Sequence, residues 1–134
     1  MKILVIDGQG GQLGSQLIKA INEKYPQTEI MAVGTNAVAT AAMLKSGAKA
    51  AATGENPVLV ACRSADLIIG PIGIVIADSL LGEITPAMAV AVGQSRAAKI
   101  LLPVSKCENL VAGVANLSVA ALIEDALAKL QTLL

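Results

Sequence analysis

Lys2-Ile3-Leu4-Val5-Ile6-Asp7-Gly8-Gln9-Gly10-Gly11-Gln12-Leu13-Gly14 is the stretch that decides the fold. Lys2 to Asp7 is an unbroken β-rich apolar run that stops at glycine, as a central parallel strand covered on both faces does. Beyond the glycines, Leu13, Leu17, Ile18 and Ile21 recur at helical spacing from Gln12 to Glu23, and Pro26 ends the pattern. A strand that runs through a glycine-rich turn into a helix is the context in which such a turn holds a phosphate. Gly8, Gly10 and Gly14 fit GxGxxxG, whereas Gly8, Gly11 and Gly14 fit GxxGxxG, and the strict GxGxxG is not met. Either spacing turns the chain tightly, faces backbone N–H groups toward an anion and lets the helix pack close to the sheet. The helix N-terminus adds partial positive charge. Gly8, Gln9, Gly10, Gly11, Gln12, Leu13 and Gly14 are therefore the expected binding loop; the alternative is a tight turn that holds nothing.

The rest of the chain extends the alternation. Glu29 to Gly34 reads as a second strand, Ala37 to Lys45 as an alanine-rich helix closed by Gly47, and Lys49 to Thr53 as a short third strand. Asn56-Pro57 opens a helix through Val58 to Ala65, followed by a strand from Asp66 to Gly70. A helix is expected from Ile74 to Leu81, ended by Gly82. Thr85 as N-cap and Pro86 in the first turn start another helix, to Ala97. Lys99 to Val104 is the next strand, Leu110 to Val114 a short last one, and Ser118 caps a final helix to Leu133. The expected fold is α/β: a single Rossmann-like, doubly wound nucleotide-binding domain over residues 1–134, its mostly parallel sheet of five to six strands flanked by helices.

In a 3-2-1-4-5 sheet the first and fourth strands flank the switch point where ligands bind. Gly70, Pro71, Ile72 and Gly73, at the end of the fourth strand, would thus line the same crevice as the first loop. Where a dinucleotide site carries an acid at the end of the second strand, about 20 residues past the glycines, this chain has Val33-Gly34-Thr35-Asn36. There is no acid for NAD and no arginine for NADP, although Thr35 and Asn36 can hydrogen-bond a ribose or phosphate. Asp7 would repel a phosphate, so it is assigned to hydrogen bonds with the loop backbone rather than to Mg²⁺. Asp78, Ser79 and Glu83 are the weak catalytic candidates, the first two reading more simply as an exposed helix face. Gly54-Glu55-Asn56 reads as a turn and helix cap.

Composition limits the function classes. Lys plus Arg and Asp plus Glu are 10 each, for a net charge of 0, and aromatic residues are 1%. Neither nucleic acid nor an acidic membrane is an expected partner. The chain has no histidine, and Cys62 and Cys107 are far apart with no CxxC spacing, so no metal is expected. Cys62 reads as core and Cys107 as a loop thiol beside Lys106. The longest apolar stretch, Leu67 to Ala77, falls well short of the roughly 20 residues needed to span a bilayer. With no leader-like start, a cytoplasmic protein is expected. Apolar residues make up 54% and charged residues 15%, more than a small domain hides alone, and a homo-oligomer, a dimer first of all, is expected.

The opening segment through Gly14 is similar to that of extended short-chain dehydrogenases and reductases. Their Tyr-x-x-x-Lys has no counterpart, since Tyr25 is followed by Pro26 and has no lysine four residues on. Over nearly its whole length the chain resembles a family of small bacterial proteins, a domain of unknown function with a Rossmann-like appearance. The matching segments are Ile6 to Gly11, Gly34 to Ala37, Thr53 to Asn56, and Gly70 to Ser79 running on through Gly82 to Pro86. That resemblance implies a shared fold and crevice but no activity. The expected function is therefore binding of a phosphate-bearing ligand, a nucleotide or dinucleotide such as NAD or NADP, by a sensor or accessory module. The alternatives are a small NAD(P)-dependent oxidoreductase or nucleotide-using transferase, and a homo-oligomeric structural protein without a ligand.

Overall fold

Five parallel strands form one sheet in the order β3-β2-β1-β4-β5. They are β1 (Lys2–Asp7), β2 (Glu29–Gly34), β3 (Ala50–Thr53), β4 (Leu67–Pro71) and β5 (Ala98–Leu102). The helices are α1 (Gln12–Lys24), α2 (Ala37–Lys45), α3 (Glu55–Ala61), α4 (Pro86–Gln94) and α5 (Val119–Gln131), with a 3-10 turn at Ile72–Val75. The computed structural model describes residues 1–104 and 108–134; the Cys107 and Lys106 pair singled out from the sequence lies outside the described residues.

Alternate side chains of the strands feed two cores. Ile3, Val5, Leu67 and Ile69 pack with α1 and α5 on one face, while Leu4, Ile6 and Ile68 pack with α3 and α4 on the other. Burial on both faces is what an unbroken apolar strand requires, and β4 is buried along its whole length. The pairing aligns Asp7 with Gly34 and Gly34 with Thr53, so the loops after β1, β2 and β3 emerge along one edge. The strand order reverses between β1 and β4 at that edge.

Helix starts follow their capping residues. Asn36 accepts from the Ala39 amide at the head of α2, Thr85 from Met88 at the head of α4 ahead of Pro86, and Ser118 from Ala121 at the head of α5. Three expectations fail. The helix expected from Ile74 to Leu81 is replaced by the 3-10 turn and a string of turns, because Asp78, Leu80 and Leu81 have φ of 65°, 55° and 57°, which no right-handed helix accommodates. The β-branched Ile74, Val75 and Ile76 are weak helix formers, and the loop instead buries Leu80 and Ile84 in the second core. Leu110 to Val114 forms no strand, and Leu110 stands 96% exposed beside no sheet edge, leaving the sheet at five strands. The helix expected through Val58 to Ala65 instead spans Glu55–Ala61, with Gly54 (φ 102°) in the cap position.

Candidate functional site

The glycine loop closes on itself first: the Gly11 amide donates to the Gly8 carbonyl at 2.9 Å, with Gln9 at φ 50° and Gly11 at φ 73°. Three of the glycines are required by packing. A Cβ on Gly8 would lie 2.7 Å from Thr35 Oγ1, one on Gly11 2.7 Å from Ala39 Cα, and one on Gly14 2.5 Å from Met43 Sδ. These are the GxxGxxG positions, and they seat α1 against the sheet and against α2. Gly10 differs, because a Cβ there meets nothing nearer than Gln12 Cγ at 4.0 Å.

Two carboxylates organise the loop from within. Asp7 is buried, and its two oxygens accept the Gly8 amide at 2.8 Å and the Gly14 amide at 2.7 Å, so it caps α1 itself. Burial pushes its carboxyl above the usual range; the two amides oppose that shift and the nearby Glu83 adds to it. Glu83 Oε1 accepts from the Gln9 amide at 2.9 Å, Thr35 Oγ1 at 2.5 Å and Asn36 Nδ2 at 2.8 Å. Burial acts to raise its carboxyl, but these three donors outweigh it and hold the group below its ordinary value. Asn36 Nδ2 also reaches the Gln9 carbonyl while its Oδ1 caps α2. Glu83 therefore clasps together the loops that follow β1, β2 and β4.

After this accounting, the amides of Gly8, Gln9, Gly11 and Gly14 are satisfied within the protein, and those of Gly10, Gln12 and Leu13 have no partner among the described residues. The residues bearing those three open amides line a cleft of about 300 Å³ at the β1–β4 switch point. Pro71, Leu80, Val104 and Val119 are among its apolar lining, and Asp7, Gln9, Gln12 and Gln16 are its polar side chains.

Of the second expected segment, only Pro71 reaches this cleft. Gly70 is needed for strand packing, since a Cβ would lie 2.3 Å from the Ile6 carbonyl oxygen, and Gly73 sits under Ser79, while Ile72 is half-buried in the 3-10 turn. Thr35 and Asn36 lie at the end of β2 as expected, but both are engaged by Glu83. Asp78 and Ser79 do not share an exposed face: Asp78 is exposed, whereas Ser79 is buried and donates to the Gly73 carbonyl. Neither lines the cleft, and Ser79 has no basic partner among the described residues with which to act as a nucleophile. Gln16 follows Gln12 by one helical turn, so its presence is predictable from spacing alone. Leu80, Val104 and Val119 come from irregular chain or from the first residue of α5 and carry no such signal.

Among solved structures, the chain is similar to a dodecameric FMN-dependent Ubix-like decarboxylase from Escherichia coli O157:H7, with 19% sequence identity, a TM-score of 0.46, and coverage of 98% of this chain and 76% of that one. A comparison with curated proteins gives no match. The family model described as "Domain of unknown function (DUF3842)" matches residues 2–134, and the protein belongs to that family.

Proposed function

We propose that the cleft binds a phosphate-bearing ligand of mononucleotide size. Its phosphate rests on the amides of Gly10, Gln12 and Leu13, and its ring lies against Pro71, Leu80, Val104 and Val119. The observation that carries this reading is Gly10, which packing leaves free to bear a side chain although it borders a cleft with open amides. Absence of a side chain there keeps the backbone approachable by a ligand. At about 300 Å³ the cleft stands at the small end of the range for ligand pockets.

A dinucleotide fits this reading less well than a mononucleotide. Thr35 and Asn36, which would receive a second ribose at β2, are committed to Glu83, and the low carboxyl pKa of Glu83 keeps a negative charge there. That charge opposes the 2′-phosphate of NADP in particular. Asp7 has both oxygens bonded to amides, so its charge is spread over two donors rather than presented to the guest. Asp7 is the one carboxylate among the described residues that line the cleft, and both its oxygens are committed to loop amides, so the role that suits the cleft is a sensor or an accessory module, working as a homo-oligomer.

Thermal shift and calorimetry with AMP, FMN, NAD and NADP test the proposal. A ligand at 100 times its Kd is expected to stabilise the fold by about 2.7 kcal/mol. Gly10→Val is expected to keep the unliganded Tm and to weaken binding by about tenfold or more, roughly 1.4 kcal/mol. No stabilisation by any of the four at millimolar concentration, or unchanged binding by Gly10→Val, overturns the reading.

A further inference from the structure

The chain has two arginines, Arg63 and Arg96, and both line one groove of about 420 Å³ between the C-terminal ends of α3 and α4. Those ends lead into β4 and β5, which places the groove at the N-terminal edge of the sheet, opposite the glycine loop. Leu59, Ala65 and Ala91 supply apolar wall, and Gln94 and Ser95 supply polar wall.

Basic residues near helix C-termini commonly serve the last carbonyls. Here that duty is already discharged by others. Lys99 Nζ donates to the Ser95 carbonyl at 2.7 Å and to the Ala97 carbonyl at 3.2 Å, and Ser95 Oγ donates to the Cys62 carbonyl at 2.8 Å. Both guanidinium groups are exposed and, among the described residues, have neither an ion-pair partner nor a hydrogen bond; the ion pairs present are Lys49–Glu29 and Lys129–Asp125. Two planar donor forks with no acceptor, in a concave and partly apolar setting, match an oxyanion carried on a small organic body.

We propose that the groove lined by Arg63 and Arg96 is a second binding site, for a small organic molecule bearing a phosphate or carboxylate group. Lys99 adds a third positive charge nearby, close enough to the Cys62 thiol to oppose the rise that burial imposes on it. The site is independent of the glycine-loop cleft and does not rest on a ligand being held there.

Titration of the ¹⁵N-labelled full chain with inorganic phosphate, with a phosphate monoester such as glycerol phosphate, and with succinate tests the proposal. Saturable shifts are expected for the amides of residues 59–65 and 91–96, with Arg63→Gln and Arg96→Gln each weakening affinity on the order of tenfold. Arg96→Lys, which keeps the charge but loses the fork, is expected to lose part of it. Gly10→Val should leave these shifts unchanged, separating this site from the other. Response to the phosphates alone, to succinate alone or to both identifies the oxyanion. Shifts confined to residues 8–14, affinity unchanged in both glutamine variants, or no saturation up to about 20 mM overturns the proposal.

Discussion

Gly10 and Gly11 are neighbours under different constraints. Gly11 is held by its φ of 73° and by the Ala39 backbone, whereas nothing in the protein's own packing forbids a side chain at Gly10. The sequence offers two overlapping glycine spacings with no means of choosing between them; the contacts of Gly8, Gly11 and Gly14 choose GxxGxxG. Asp7 is the other informative residue, and its pairing with the loop backbone was readable from a carboxylate next to glycines. Its burial sets a pH dependence with a definite sign. A carboxyl raised in the folded state binds its proton more tightly there than in the unfolded chain, so ionising it favours unfolding. The stability contributed by Asp7 is thus full below its unfolded value, near 3.8, and falls as pH rises through the folded value. Glu83 runs the other way, since its lowered carboxyl contributes stability above its unfolded value of 4.5 that is lost as pH falls through the folded value. Because Asp7→Asn removes only the first of these, the unfolding free energy of wild type relative to Asp7→Asn is expected to decline between about pH 4 and pH 7. Urea titrations of both proteins across that range measure the difference, and a difference that grows with pH contradicts the assignment.

At the scale of elements, the strands and most helices were legible because each carries a local cause. β1, β2 and β4 are continuous apolar runs, and Asn36, Thr85 and Ser118 sit where a capping side chain is needed. The segment from Ile74 to Leu81 was not legible, because a short apolar run has the same composition whether it forms a helix or a buried loop. What decides it lies outside the run itself: within the loop the Asp78 amide bonds the Ile84 carbonyl and Ser79 reaches back to Gly73, and far along the chain Glu83 is anchored on residues of the β1 and β2 loops. This loop supplies Leu80 to the cleft and Glu83 to the clasp; the sequence offers Glu83 only as a weak catalytic candidate, and its clasping role, set by bonds to Gln9, Thr35 and Asn36, was not legible. It also carries local strain, since Leu80, Leu81 and Gly82 are consecutive residues with φ of 55°, 57° and 86°. A left-handed conformation costs a residue with a Cβ roughly 1–2 kcal/mol, and asparagine tolerates it better. Leu81 is 95% exposed and has little packing to lose. Leu81→Asn is therefore expected to stabilise the protein by about 0.5–1 kcal/mol, seen as a higher urea midpoint at unchanged m-value. A lower midpoint would show that Leu81 is covered in solution.

Across the whole molecule, a net charge of zero conceals an uneven distribution. Asp7, Glu55, Asp78 and Glu83 lie toward the edge where the strands end, and Lys2, Arg63, Arg96 and Lys99 lie toward the edge where they begin. No helix among the described residues is long and apolar enough to cross a membrane. One place where apolar surface is left uncovered is β3, an edge strand of Ala50–Thr53 with no neighbour on its outer side among the described residues. Met31, Ala50, Ala52, Pro57 and Val60 border a groove of about 370 Å³ there, and Val60 is 49% exposed. An unpaired strand edge beside an uncharged apolar groove invites pairing with another chain unless charge or proline blunts it, and β3 itself carries neither. Self-association through this face is expected to give at least a dimer by light scattering at tens of micromolar. Val60→Lys, which places a charge on the groove without touching the glycine loop, is expected to weaken association on the order of tenfold, about 1.4 kcal/mol. A monomeric wild type at those concentrations would remove the oligomer, and an oligomer insensitive to Val60→Lys would move its interface away from β3.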